Sequence, residues 1–314
     1  MLRYIVRRLG FVMLTVLLTS LMIFCVTQLL PGDVARVILG REASDTAVAA
    51  LRDELGLNRP LPLQYVSWLR KFVTGDWGMS YSTGVPIRPL VMERLGSSSR
   101  LAWLTLLIAV PLALVLGVVA GLNENKAIDH VINVVSLAVV GLPEFVTGSL
   151  LIQVLALRFR WFPANSSVRP GIGFVEALPM LILPALTTTL VLLAYVARLT
   201  RASVIEELKA GYVRTAMLKG LPQRTVVVRH VLRNALLPAI TVIAISFGWL
   251  IGGLIVVENV FNYPGLGRLL TFAIDRRDLP LLQAITVIGV LSFMIANLVA
   301  DLLYAVLNPR IRLT

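Results

Sequence analysis

The chain has 314 residues, of which 57% are hydrophobic and only 15% are charged. This composition excludes an ordinary soluble domain and indicates an integral membrane protein in contact with the lipid bilayer. The net charge of +12 could suit nucleic acid, but long uncharged runs separate the basic residues. Orientation in the membrane explains the excess better, so no nucleic acid is expected as a partner. The single cysteine, Cys25, leaves no intrachain disulfide and no cysteine-based metal site.

Six apolar runs predict six transmembrane helices. The first run, 9–30, follows a short basic segment with Arg3, Arg7 and Arg8. It is longer than the apolar part of a signal peptide, so we expect a retained helix whose N-terminus lies in the cytoplasm. The other five runs are 101–122, 131–157, 178–199, 235–257 and 281–307.

Charge and polarity divide the chain into three predicted parts. Residues 1–30 form the N-terminal transmembrane helix, and the polar segment 31–100 forms an external domain. Residues 101–314 form a five-helix core, whose longest cytoplasmic loop, 200–234, is rich in arginine and lysine. Because short basic loops stay in the cytoplasm, this pattern predicts that both termini lie there.

The loop 200–234 predicts a short helix with a definite end. Residues 212–219 contain no glycine or proline, Gly220 can end a helix, and Pro222 can begin the next segment. Residues 225–232 carry four valines and a leucine, against Arg224, Arg229 and Arg233, which predicts an amphipathic helix at the membrane surface before Pro238 enters the bilayer. The alternative for the whole loop is an ordinary basic connector attracted to anionic lipid.

Pro143 and Glu144 lie near the middle of the third predicted span. A carboxylate facing lipid costs about 2.5 kcal/mol or more, so Glu144 should face protein or water. Our hypothesis is that Glu144 lines the translocation path and meets the cationic end of a substrate, while Pro143 loosens the helix and frees a carbonyl group. The alternative is a contact with a neighbouring helix.

A turn rich in glycine follows the fifth span. Pro264, Gly265 and Gly267 favour a tight external turn over a helix. Phe261 and Tyr263 precede it and could close the outer mouth of the path, which makes 261, 263, 264 and 265 a hypothetical external gate. The alternative is an aromatic turn that anchors the helix end at the membrane interface.

Several motifs are missing from the sequence. It has no Gly-x-x-x-x-Gly-Lys-Ser/Thr loop to hold ATP, and no cluster of metal ligands or catalytic groups. We therefore expect a non-catalytic chain that binds no metal or cofactor itself and takes energy from elsewhere.

The loop residues Arg214, Thr215, Ala216 and Gly220 resemble the cytoplasmic loop of permease subunits in ABC importers, although Arg214 replaces the glutamate with which that motif usually begins. This departure is typical of the dipeptide and oligopeptide (peptide/nickel) branch. Other stretches resemble the same branch, and together the resemblance covers nearly the whole chain. These stretches are 30–33, 54–61, 75–81, 258–268, 297–304 and 308–312.

The resemblance implies an all-α fold of the type I importer permease kind, in a bacterial inner membrane. It also implies a second homologous permease, two ABC subunits that bind ATP and Mg, and an extracytoplasmic substrate-binding protein that faces the external domain. The loop would act as a coupling helix that transmits the motion of the ATPases. The coupling residues it implies are Tyr212, Val213, Arg214, Thr215, Ala216, Lys219 and Gly220.

Alternatives remain open at this point. The branch includes carriers of dipeptides, longer peptides, glutathione and nickel chelates, and the pore residues do not choose among them. A self-sufficient secondary transporter or channel is the rival from another class, although the spans do not show the paired broken helices of many such carriers. A membrane-embedded enzyme is a third option, and no catalytic set supports it.

Overall fold

The computed structural model describes residues 2–29, 36, 39, 43–54, 58–169 and 171–307. Within these residues the fold is helical, apart from one isolated bridge between Met79 and Pro86. Five helices are long and apolar enough to cross a membrane, and there are six if one bent pair counts as a single span, which agrees with the predicted fold class. The stretches 30–33 and 308–312 lie outside the described residues.

The helices are α1 (Leu2–Leu29), α2 (Asp45–Glu54), α3 (Leu61–Thr74), α4 (Ile87–Leu122), α5 (Ala127–Gly141), α6 (Glu144–Leu151), π1 (Ile152–Arg158), α7 (Phe174–Leu208), α8 (Gly211–Leu218), α9 (Gln223–Val226), π2 (Val227–Val231), α10 (Leu232–Gly253), α11 (Ile255–Val260), α12 (Leu266–Asp275) and α13 (Leu279–Leu307).

The chain forms two compact units. The first contains Ser98–Pro264 and Phe293–Thr314, and the second contains Leu2–Ser97 and Gly265–Ser292. These units cut across the predicted division into a first helix, an external domain and a core. The predicted division depends on which segments lie on each side of the membrane, so it stays a prediction.

The second unit has an apolar core that includes the start of α4. Ile87 and Val91 are fully buried and pack with Leu266, Ala273 and Leu281. The helix that contains the predicted span 101–122 therefore begins at residue 87, because apolar residues spaced four apart carry it back into the polar segment. At 36 residues, α4 is about 54 Å long, well beyond the roughly 30 Å of a hydrocarbon core.

The first unit is centred on α7. Among the 18 most apolar consecutive residues of α7, 61% are buried inside the protein. This helix contacts α5, α6 and α10. Gly117 and Gly121 face α7 so closely that a Cβ at Gly117 would lie 2.6 Å from the carbonyl oxygen of Ala197. Small residues on one helix face allow this approach of two backbones.

The predicted span 131–157 is not one continuous helix. The structure has two helices here, Ala127–Gly141 and Glu144–Arg158, which meet at an angle of 105°. The break falls at Leu142 and Pro143, both of which have extended ψ angles, of 131° and 141°. Proline has no N–H to donate and disfavours helical geometry in the residue before it, so the chain turns there.

The predicted surface helix 225–232 is also corrected. It is the start of a helical run that passes from α9 through π2 into α10 and includes Pro238. Val226 and Val231 are fully buried, so the valine side of this segment packs inside the protein. The segment belongs to the candidate span Gln223–Leu250 and is not a separate element.

Candidate functional site

The loop after α7 forms the short helix that the sequence predicts. Helix α8 covers Gly211–Leu218, and Gly220 follows it with a φ of 79°. In this left-handed region glycine is favoured, and the Gly220 N–H donates to the carbonyl oxygen of Met217 at 2.9 Å. Pro222 then caps α9. The predicted helix 212–219 is therefore present as 211–218, and its predicted stop at Gly220 and the new segment at Pro222 are present as well.

One side of α8 is fixed to the first unit by apolar packing. Val213 is only 2% exposed and lies in a cluster with Val226 and Val231, against which Leu208 and Ala216 also pack. This cluster joins the end of α7, helix α8 and the start of the next helical run. A displacement of α8 would therefore carry both flanking helices with it.

Tyr212 adds a polar attachment on the same helix. Its hydroxyl donates to the Glu207 carboxylate and accepts from the Asn234 side-chain amide at 3.3 Å. Burial of the hydroxyl, followed by its hydrogen bond to Glu207, raises the pKa of Tyr212 above its ordinary value. The phenol thus stays protonated at neutral pH and remains a donor to Glu207.

The opposite side of α8 is exposed. Leu218 has 81% of its surface exposed and Met217 has 44%, although both are large and apolar. Arg214, Thr215 and Lys219 are exposed beside them. The predicted coupling residues therefore fall into two groups: Tyr212, Val213 and Ala216 face the chain itself, and the others are open to a partner. We call this exposed group, with Met217 and Leu218, the α8 surface.

A buried ion pair lies near this loop, and sequence reasoning did not predict it. Arg201 of α7 reaches Asp129 of α5 with two contacts, Nε to Oδ1 at 2.5 Å and Nη2 to Oδ2 at 2.7 Å. Asn133 donates to Oδ1 at 2.7 Å, and the Asn125 backbone N–H donates to Oδ2 at 3.0 Å. An acid at a helix start within a basic loop was the only signal that could have indicated this pair.

Pro143 and Glu144 lie at the break of the third span. Glu144 is the first residue of α6 and is half-buried. Among the described residues, none forms a hydrogen bond or an ion pair with its carboxylate. That these two residues line the translocation path stays a prediction. A carboxylate without a partner among the described residues is compatible with that role.

The residues of the hypothetical gate lie in a packed turn. Phe261 and Tyr263 are 0% and 1% exposed, and Phe261 packs with Ala156, Leu183 and Val257. Its carbonyl oxygen accepts from Ser166 N–H at 2.8 Å. The rings would have to leave this packing to close or open a path, so the gate stays a prediction.

The C-terminal end of that turn differs from the prediction. Pro264 is half-buried, and Gly265 caps α12, which begins at Leu266. Gly267 is therefore helical and does not belong to the turn.

Two further buried carboxylates escaped sequence reasoning. Glu258, in the first unit, accepts a hydrogen bond from Ser98 Oγ at 2.5 Å. Asp278, in the second unit, precedes α13 and accepts from Ser80 Oγ at 2.6 Å and from Ser82 Oγ at 2.8 Å. Burial, and then the charge of Asp278, raise the pKa of Tyr81. Asp278 fixes the loop with Ser80 and Ser82 to the start of α13, whereas Glu258 joins α11 to α4. In the described residues no group of three or more His, Cys, Asp and Glu side chains could hold a metal ion.

Comparison with known proteins gives two family matches that together cover most of the chain. Residues 113–313 match the family described as binding-protein-dependent transport system inner membrane component. Residues 1–102 match the N-terminal family of the same transport systems.

Individual relatives match over nearly their whole length. The chain is 38% identical over 309 residues to the probable peptide ABC transporter permease protein y4tP of Sinorhizobium fredii. The matched residues make up 98% of this chain and 99% of that protein. It is 36% identical over 312 residues to the glutathione transport system permease protein GsiC of Escherichia coli strain K12, with 99% of each chain covered. A GsiC of Shigella dysenteriae serotype 1 matches with the same identity and coverage.

Proposed function

Because this chain belongs to the family of binding-protein-dependent transport system inner membrane components, and is a permease subunit of an ABC importer, we propose that α8 couples it to an ATPase. The observation that carries this proposal is the two-sided arrangement of α8. Val213 and Tyr212 attach the helix to its own chain, while Leu218 is 81% exposed on the other side. A surface that is fixed on one side and open on the other can transmit the motion of a partner.

We propose that peptides are the cargo. One relative is named for peptides and another for glutathione, which is itself a tripeptide. Both kinds of cargo carry a protonated amino group, which the Glu144 carboxylate, without a partner among the described residues, could meet in the path. Glutathione and nickel chelates remain alternative cargoes within the same function. Uptake competition among an alanine tripeptide, glutathione and a nickel chelate distinguishes the three.

The proposed assembly contains a second homologous permease, two ATP-binding subunits and a substrate-binding protein. The chain itself is proposed to be non-catalytic and to bind no cofactor, since ATP and Mg belong to the ATPase subunits. Its place is the bacterial inner membrane, with both termini in the cytoplasm, so that α8 faces the ATPases. Pro143 and Glu144 are proposed to line the path. Phe261, Tyr263, Pro264 and Gly265 are proposed to form the external gate.

The coupling proposal is tested by adding a negative charge to the α8 surface. We expect Leu218→Glu to lower ATP-dependent peptide uptake at least about tenfold, because burying an unpaired carboxylate in a protein contact costs several kcal/mol. Uptake is measured in proteoliposomes that contain the whole complex and its binding protein. Co-purification of the ATPase is measured in parallel.

Gln223→Glu is the matched control, because it adds a charge to an exposed position of the same loop outside α8. It should leave uptake within about twofold of the unchanged protein, as surface substitutions usually do. Full uptake by the Leu218→Glu complex would contradict the coupling role. Uptake by the chain without any ATPase subunit would favour a self-sufficient carrier.

A further inference from the structure

The second unit contains a cavity of about 410 Å³ that the proposed function does not use. Its walls come from the end of α1, Arg59, one side of α3, the segment 76–81 and the start of α13. Gln64, Ser67, Trp68 and Lys71 line it from α3 and are spaced as one face of a helix. The cavity is thus built by elements far apart in the sequence.

The cavity lies where two candidate spans end. Phe24 and Gln28 belong to the last turns of the span Val6–Gln28, and Leu279 and Gln283 belong to the first turns of the span Leu279–Leu302. Gln283 also donates to Thr27 Oγ1 at 2.6 Å, which joins these two ends. A cavity at the ends of two spans lies at the depth of the lipid head groups, whichever side of the membrane that is.

Aromatic side chains of the kind enriched at this depth surround the cavity. Trp68 stacks on Phe72 with ring centroids 5.6 Å apart, and Phe72 stacks on Trp77 at 4.8 Å. Trp77 Nε1 donates to the carbonyl oxygen of Phe72 at 3.0 Å, so this ring is held in place. Tryptophan and tyrosine prefer the boundary between hydrocarbon and head groups because they are apolar at one end and polar at the other.

The charge of the lining is positive. Arg59 and Lys71 contribute two positive charges, against one negative charge from Asp76. Within the described part of the chain, neither basic side chain has a hydrogen bond or an ion pair. Asp76 accepts from the backbone N–H of Gly78 at 3.2 Å, so part of its acceptor capacity is already used. The excess charge fits an anion with several oxygen acceptors, such as a phosphodiester.

The surroundings of the cavity are apolar. Leu63, which lines the cavity from α3, is 60% exposed, which is unusual for a large apolar side chain in water. Among the 18 most apolar consecutive residues of α1, only 11% are buried inside the protein. An occupant with an anionic head and apolar chains would be complementary to both parts of this surface.

We propose that this cavity binds the head group of an anionic phospholipid, whose acyl chains lie along α1 and α3. The phosphate contacts Arg59 and Lys71, whose positive charges attract it. The lipid joins the end of α1 to α3. Only the choice of leaflet rests on the proposed function and its orientation of the termini.

The test measures lipids retained by the intact transport complex in native mass spectrometry. The complex, purified in detergent, receives phosphatidylglycerol or phosphatidylethanolamine at equal concentration. We expect a preference for phosphatidylglycerol that falls about fivefold for each basic residue removed in Arg59→Gln and Lys71→Gln, as expected for one charge near a lipid surface. Arg70→Gln is the control, because this exposed residue is the neighbour of Lys71 but does not line the cavity.

Three outcomes would overturn the inference: equal retention of the two lipids, an unchanged preference in the Arg59→Gln/Lys71→Gln double variant, or displacement of phosphatidylglycerol by an alanine tripeptide. The last would assign the cavity to the transported substrate. If the double variant fails to fold, Ser67→Glu provides a second test, because its carboxylate would repel a phosphate in the cavity. Lipid retention is measured without transport. A failure of the lipid proposal can therefore be distinguished from a failure of the proposed transport function.

Discussion

At the scale of single residues, two acids near the start of α5 differ in their surroundings. The Asp129 side chain is 1% exposed and pairs with Arg201, while the Glu124 side chain is 36% exposed and pairs with Lys209 at 3.0 Å. A buried charge that loses its partner cannot be compensated by water, whereas an exposed one can. The first pair should therefore matter for stability far more than the second.

We expect Asp129→Ala to lower the free energy of unfolding by about 3 kcal/mol, because it leaves the Arg201 guanidinium partly buried without its acceptor. Glu124→Ala is the control and should lower it by less than about 1 kcal/mol. Denaturant unfolding of the detergent-solubilised chain measures both values. Equal losses would show that burial does not distinguish the two pairs.

The residue scale also shows which acids sequence reasoning finds. Glu144 is conspicuous because it interrupts an apolar run, and the prediction singled it out for that reason. Asp129, Glu258 and Asp278 lie at helix ends, where an acid is ordinary in any sequence. All three are fully buried, and only the three-dimensional packing reveals it.

At the scale of elements, close contact between α4 and α7 depends on two glycines. At Gly117 a Cβ would lie 2.5 Å from Thr200 Cβ and 2.6 Å from the carbonyl oxygen of Ala197. At Gly121 it would lie 2.7 Å from Val204 Cβ. The obstacles include main-chain atoms and Cβ atoms, which cannot rotate away, so these helices would have to separate to admit a side chain.

We expect Gly117→Ala to destabilise the chain by about 1–3 kcal/mol, because the added methyl group forces α4 away from α7. In Gly289→Ala the same methyl group enters a helix position where it meets no atom within 4 Å beyond the adjacent residues and the nearby backbone of its own helix. This control should be neutral or stabilising by up to about 1 kcal/mol, since alanine favours a helix more than glycine does. Thermal unfolding of the two variants compares them, and an equal destabilisation would contradict the packing explanation.

Element boundaries show where the sequence was less informative. The beginning of α4 was missed because Arg88, Glu93 and Arg94 make its first turns appear polar, although Ile87 and Val91 are fully buried. The α8 helix and its limits were predicted well, because Gly220 and Pro222 are local signals that need no tertiary contact. Where contacts with another helix determine where a helix begins, as at Ile87, the local sequence pattern cannot predict the boundary.

At the scale of the whole molecule, the orientation in the membrane decides how every site is used. The proposed topology places the polar segment outside and the α8 surface in the cytoplasm. Basic residues of the short loops support it, since such loops are retained on the cytoplasmic side. The path, the gate and the coupling surface then face three different environments.

We test this orientation with single cysteines introduced into a Cys25→Ala chain. Thr83→Cys should react with a membrane-impermeant maleimide in intact spheroplasts, because the segment 31–100 is proposed to lie outside. Gln223→Cys should react only after lysis, because its loop is proposed to lie in the cytoplasm. Both positions are exposed, so access within the protein is not the limiting factor. The reverse labelling pattern would overturn the topology and place α8 on the wrong side for an ATPase.

The sequence by itself determined the membrane class and the α8 helix, because apolar run length and glycine or proline positions act over a few neighbouring residues. Only the tertiary structure decided the 105° break at Pro143, the Asp129–Arg201 pair, the burial of Phe261 and Tyr263, and the cavity with Arg59 and Lys71. Each of these depends on which distant side chain or backbone lies opposite. That information is absent from any local stretch of sequence and appears only when the helices pack.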